Sequence, residues 1–91
     1  MSFKPKNIDG AATTIVSSTP CMLHTIVINT TSGAAITVYD NASAASGEII
    51  AVFPAAAVCG TYLYDVDLNH GLVVKTEGTG NITVSKGPQG N

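Results

Sequence analysis

The chain predicts an all-β fold, a single antiparallel β-sandwich (Ig-like or jelly-roll-like) of about seven strands, and three observations carry that expectation. Val, Ile and Thr supply 28 of its 91 residues, against four Leu. β-Branched side chains are stiff at χ1 and fit a pleated surface better than a helix. No run of ten or more residues sets apolar side chains at i, i+3, i+4 and i+7 between helix caps. What recurs is a short β-rich run closed by a Gly, Ser, Asn or Pro turn, at a spacing of roughly 8–14 residues.

Residues 1–10 read as an extended amino-terminal arm, 11–86 as the sandwich and 87–91 as a flexible polar tail. The first strand is expected over Ala12 to Ser17, stopped by Ser18-Thr19-Pro20. Cys21 to Thr30 is the longest run, with Met22, His24, Ile26 and Ile28 on one face and Leu23, Thr25 and Val27 on the other. Ser32-Gly33 makes a tight turn into Ala35 to Asp40. A looser loop over residues 41–47 leads to Glu48 to Phe53, where Pro54 removes a ladder donor. Thr61 to Leu68 alternates cleanly, Tyr62, Tyr64, Val66 and Leu68 against Thr61, Leu63, Asp65 and Asp67. Asn69-His70-Gly71 reads as a three-residue hairpin loop with Gly71 in the left-handed region. Leu72 to Thr76 and Ile82 to Lys86, joined by the turn over residues 77–81, complete the set. The two inner faces are expected to hold Ile15, Ile26, Ile28, Ile36, Val38, Ile50, Val52, Tyr64, Val66, Val74, Ile82 and Val84.

Composition bounds what such a domain does. Charged residues are 11% of the chain, where soluble domains carry about 25%. Thr, Ser, Asn, Gly and Ala stand in their place, and mean hydropathy is +0.31. A free monomer rarely leaves so weakly charged a surface bare, so part of it is expected to be covered by other subunits. Net charge is −2, and Lys4, Lys6, Lys75 and Lys86 are the only basic residues. Phosphate-backbone recognition needs a basic stripe and usually Arg, so nucleic acid is not an expected partner. The longest near-continuous apolar stretch, Ile49 to Val58, is broken by Pro54 and falls short of the ~18 residues that span a bilayer. The first ten residues have no apolar core of a secretory signal, so synthesis is expected in the cytoplasm. Cys21 and Cys59 lack the spacing of zinc or redox motifs and are expected to remain thiols. A disulfide between them would close a long loop, worth about 3–4 kcal/mol in the chain-entropy model.

Catalytic material is scarce, and the expectation is no enzyme, no cofactor and no metal. His24 lies mid-strand among apolar neighbours and His70 before a glycine in a turn, without a third ligand at metal spacing. Asp65 and Asp67, two apart, share a strand face, as a calcium site or a glycosidase acid pair would need; a solvated face with negative edge protection accounts for them as well. There is no G-x-S-x-G elbow, and Gly78-Thr-Gly80 lacks the spacing of a phosphate cradle. Five aromatic residues and no Trp supply little for stacking sugars or bases. Two segments suggest contact surfaces instead. The run Ala55, Ala56, Ala57 and Val58 is small and smooth enough to let a neighbouring backbone approach. The arm, with Phe3, Lys4 and Lys6, is long enough to reach a partner.

The stretches Leu23-His-Thr-Ile-Val-Ile-Asn-Thr30, Ile36-Thr-Val-Tyr-Asp40, Gly47-Glu-Ile-Ile-Ala51, Gly60-Thr-Tyr-Leu-Tyr-Asp-Val-Asp67, Gly71-Leu-Val-Val74 and Ile82-Thr-Val-Ser85 together resemble the small β-sandwich structural proteins of tailed bacteriophage virions. The likeness covers nearly the whole chain after residue 10. It consists of strand-and-turn patterns, with no chemical signature to carry over. It implies a virion component synthesised in the host cytoplasm, of the head decoration or cement type. Such a protein would be a homotrimer on the capsid surface that binds the major capsid protein and bridges capsomers. A receptor- or glycan-binding module of a fibre or adhesin, and a neck, tail or baseplate component, are the alternatives.

Overall fold

The computed structural model of the chain describes residues 3–31 and 33–87. They form eight strands: β1 (Lys4–Asp9), β2 (Ala12–Ser17), β3 (Cys21–Thr30), β4 (Ile36–Asp40), β5 (Glu48–Phe53), β6 (Gly60–Leu68), β7 (Leu72–Thr76) and β8 (Asn81–Gly87). One sheet has the order β1-β8-β3-β6 and the other β2-β7-β4-β5, and every pairing is antiparallel. Consecutive strands lie in the same sheet only at β4–β5; the other six connections cross between sheets. This is the jelly-roll arrangement, two Greek keys wound into a double sheet.

The eighth strand comes from the expected arm. Lys4–Asp9 pairs along β8 from Lys4 opposite Lys86 to Asp9 opposite Asn81, and Ile8 of this segment is buried in the core. Residues 88–91 of the expected tail and Ser32 of the expected Ser32-Gly33 turn lie outside the described residues.

Between the sheets sit Ile8, Cys21, Leu23, Ile26, Ile28, Ile36, Val38, Phe53, Leu68, Leu72, Val74, Ile82 and Val84, with Ile50, Tyr64 and Val66 packed half-buried against them. Two residues expected inside face out. Ile15 is 49% exposed and Val52 57%. The register explains both: Thr14 lies opposite the buried Val74, which turns Ile15 outward opposite Val73, and Val52 pairs with Thr37 on the outer face. On β3 the ladder shifts between Leu23 and Thr25, so one extra residue flips the alternation. Leu23 therefore joins Ile26 and Ile28 inside, and Met22 and His24 do not share their face.

The loop at Asn69-His70-Gly71 is not a hairpin, because β6 and β7 belong to different sheets. Gly71 is required there for space rather than for left-handed φ. A Cβ at that position would lie 2.5 Å from the Ser17 carbonyl oxygen and 2.7 Å from that of Asn41.

Candidate interaction surfaces

The loop at the β6–β7 crossover is held by a carboxylate. Asp40, the last residue of β4, is buried, and its two oxygens accept backbone N–H bonds from Asn69 (3.1 Å), His70 (2.9 Å) and Gly71 (3.3 Å). Burial pushes the Asp40 carboxyl pKa up most strongly. The three N–H bonds, with the His70 ring 3.6 Å away, together outweigh that and leave it lowered. Both Asp40 and His70 are thereby given a structural duty.

The outer face of the β1-β8-β3-β6 sheet is polar and internally bonded. Asn81 Oδ1 accepts from Asn7 Nδ2 at 2.8 Å and from Asn29 Nδ2 at 2.9 Å, and the same two amides reach Thr83 Oγ1. Further along, β6 carries Tyr64 and Asp65 where β3 carries only His24, and Asp65 takes φ 50°. That bulge brings His24 Nδ1 to 2.5 Å from Asp65 Oδ1. Phe3 stacks flat on the imidazole, ring centroids 3.9 Å apart at 9°. It reaches there across Gly87, where any Cβ would stand 2.7 Å from the ring. Among the described residues no hydroxyl or thiol bonds the His24 ring, and no three His, Cys, Asp or Glu residues gather to hold a metal. Sequence periodicity hid this trio, because its geometry depends on two bulges and on β1 joining the sheet.

The outer face of the other sheet is drier. Its register forms one row, Ile15–Val73–Tyr39–Ile49, straight across all four strands. Val73 is fully buried in that row by its neighbours, while Ile15 and Ile49 remain about half exposed at its ends. The adjacent row, Thr13–Lys75–Thr37–Val52, carries one charge, Lys75, which lies 4.0 Å from Glu77.

The connection from β5 to β6 is exposed and firmly shaped. Ala57 N–H bonds the Pro54 carbonyl at 3.2 Å, and Ala56 sits at φ 62°. The Tyr62 hydroxyl donates to the Val58 carbonyl at 2.6 Å, and the Tyr62 ring meets Phe53 edge-on at 4.9 Å. Ala55 and Ala56 are exposed, Ala57 is half-buried, and Val58 is 76% exposed. Leu63 on β6 is exposed to 66%. Among the described residues, four of the six exposed large hydrophobic side chains, Ile49, Val52, Val58 and Leu63, thus fall on β5, β6 or the loop between them. Lys4 and Lys6 stand on the opposite edge, on β1, apart from this surface.

Cys21 is buried and Cys59 exposed, and both are free thiols. Burial raises the Cys21 thiol pKa, against smaller lowering influences led by its hydrogen bond with Ser17. A shallow depression lined by Ile8, Ile36, Thr76 and Ile82 among others has no room for a water-sized sphere, far short of the ~300 Å³ at which small-molecule sites begin.

No protein-family model matches the chain, and no curated protein matches it either.

Proposed function

We propose that this chain is a non-enzymatic structural protein of a phage virion, a head decoration protein that oligomerises, as a trimer, and binds the major capsid protein across capsomer joints. The observation that carries it is that, among the described residues, four of the six exposed large hydrophobic side chains, Ile49, Val52, Val58 and Leu63, lie on the edge strands β5 and β6 or the loop joining them, on a jelly roll with few surface charges. Exposed apolar patches rimmed by polar groups mark protein contacts. The loop is shaped by its own hydrogen bonds before any partner arrives, so little ordering entropy opposes binding. A protein that binds only the assembled shell stabilises that shell by mass action and needs no chemistry. Jelly rolls serve both capsids and lectins, so the fold alone does not choose between them.

The lectin-like alternative draws on a specific feature, the Phe3 ring beside the His24–Asp65 pair on the polar outer face. An aromatic face next to a carboxylate suits a sugar. The two are separated by labelling virions from the source cells with gold-tagged antibody against the purified chain, together with a glycan array. Gold on heads and a blank array support the decoration role. Gold on fibres with a glycan signal supports the alternative, and gold confined to necks or tails moves the protein there. Virions without label rule out every virion role.

A further inference from the structure

We propose that copies of this chain exchange β1, each lending residues 3–9 to the β8 edge of another copy, so that the oligomer is joined by a shared strand. This is the joint of the oligomer invoked above, and rests on that reading. The contacts that β1 makes with β8 and β3 in the folded chain are kept in the exchange, made to a second copy instead.

Of the four strands at sheet edges, β2, β5 and β6 each have a strand before and after them in the chain. Among the described residues β1 alone is tied to the fold by one link, so it leaves without drawing a second strand after it. Little anchors it. Ile8 is the one side chain of β1 buried in the core, and its ladder runs along β8 only. The Asn7 amide reaches Asn81 Oδ1, the Ile82 carbonyl and Thr83 Oγ1, and Phe3 lies across Gly87 onto the His24 ring. These polar and ring partners all belong to β8 and β3, so the strand and its Phe3 latch transfer as a unit. An edge element with so few buried apolar contacts sits at the low end of local stability. Once β1 is gone, the β8 ladder and the seat of Ile8 lie bare, and the sequence fitted to refill them is another β1.

The hinge is Gly10. Its N–H donates to the Gly80 carbonyl at 2.9 Å, next to the rung Asp9–Asn81, and so extends the β1–β8 ladder. Its carbonyl accepts from Thr76 Oγ1 at 2.7 Å, next to the rung Ala12–Thr76 of the other sheet. Only the φ and ψ of Gly10 lie between those two groups, so rotation there parts β1 from β2 and leaves each half of the residue with its own strand. Gly10 stands at φ 80° with nothing within 4 Å of where a Cβ would be, so glycine serves conformation there and not space. The link is also short. The three peptide units from Asp9 to Ala12 reach about 10–11 Å at full stretch, and sheets packed face to face lie about 10 Å apart. Closing β1 onto its own β8 uses nearly all of that reach, and short hinges of this kind invite exchange.

The test is a cross-link placed on the β1–β8 rung Asn7–Thr83, whose side chains already meet at 3.2 Å. Asn7→Cys/Thr83→Cys is made in a Cys59→Ser chain, oxidised at low-micromolar concentration and run on a denaturing gel without reductant. Exchange gives covalent bands at two or more times 9.2 kDa, matching the native mass by light scattering. Thr83→Cys alone in the same background reads random cross-linking and should give no such band. Inserting Gly-Ser-Gly-Ser between Gly10 and Ala11 gives the hinge slack; the disulfide should then close within one chain and the mass fall to monomer. Circular dichroism confirms that each variant is folded. Disulfides confined to single chains overturn the proposal. So does an inter-chain band that the longer link leaves unchanged, or one equally strong from Thr83→Cys alone. Single-chain disulfides in an oligomer whose antibody labels heads sink the exchange alone. Inter-chain disulfides in a protein whose antibody leaves virions unlabelled sink the decoration role alone.

Discussion

Removing the acceptor at Asp40 tests how the crossover between the two sheets is held. Asp40→Ala deprives the N–H groups of Asn69, His70 and Gly71 of their partner at once. Gly71 is buried, and leaving its N–H unsatisfied costs about 1–3 kcal/mol. Asn69 and His70 are exposed, so water replaces part of what they lose, leaving about 0.5 kcal/mol for each. The sum is about 3 kcal/mol, a large share of the roughly 5–15 kcal/mol that a domain possesses. With a urea dependence of about 1 kcal/mol per molar for a chain this small, the midpoint should fall by ~3 M. Asp40→Asn keeps the shape and removes the charge, and isolates the electrostatic share. The folded-state pKa of Asp40 is lowered, so its stabilisation is present above the unfolded carboxylate value of ~3.9 and is lost as pH falls through the folded value. The gap between wild type and Asp40→Asn should therefore be widest at neutral pH and shrink below ~pH 4. A gap equally wide at pH 7 and pH 2.5, or a loss below ~1 kcal/mol for Asp40→Ala, would refute the reasoning.

Three further outcomes are expected. Gly71→Ala should lower the melting temperature by about 10 °C, because its Cβ meets two fixed backbone oxygens, and an unchanged melt would mean that the loop yields freely. Ala56→Gly relieves left-handed strain that costs an alanine about 1 kcal/mol and should raise the urea midpoint slightly, whereas Ala55→Gly, at an ordinary φ, should lower it. Maleimide should add one label per native chain, at Cys59; Cys59→Ser should take none until denaturant exposes Cys21, whose burial and raised pKa suppress the thiolate.

The all-β class, most strand positions and the alternation of β6 were legible in the sequence because period-two patterning is local. Ile15 and Val52 went the other way because a register shift of one residue reverses which face a side chain takes, and bulges leave no reliable mark in composition. β1 was hidden for another reason: Lys4-Pro5-Lys6-Asn7 carries edge-protecting residues, which read as an arm until their partner β8 is known. Of the contact surfaces, the alanine run was visible as small, smooth sequence. The stacked Phe3, His24 and Asp65 were not, since they meet across 62 residues of chain through three strand pairings.

Because β1 completes its ladder only with β8, residues 4–9 wait for residues 81–87 before they have a neighbour. A chain emerging from the ribosome therefore leaves that sheet edge incomplete until residue 87 is clear of the exit tunnel. Almost every rung closes a long loop, which places such a chain among slow folders, in the millisecond-to-second range. The same closure sets Lys4 and Lys86 opposite each other on one rung, while the loop over residues 41–47 takes part in none, so chain inserted in that loop would leave every rung in place.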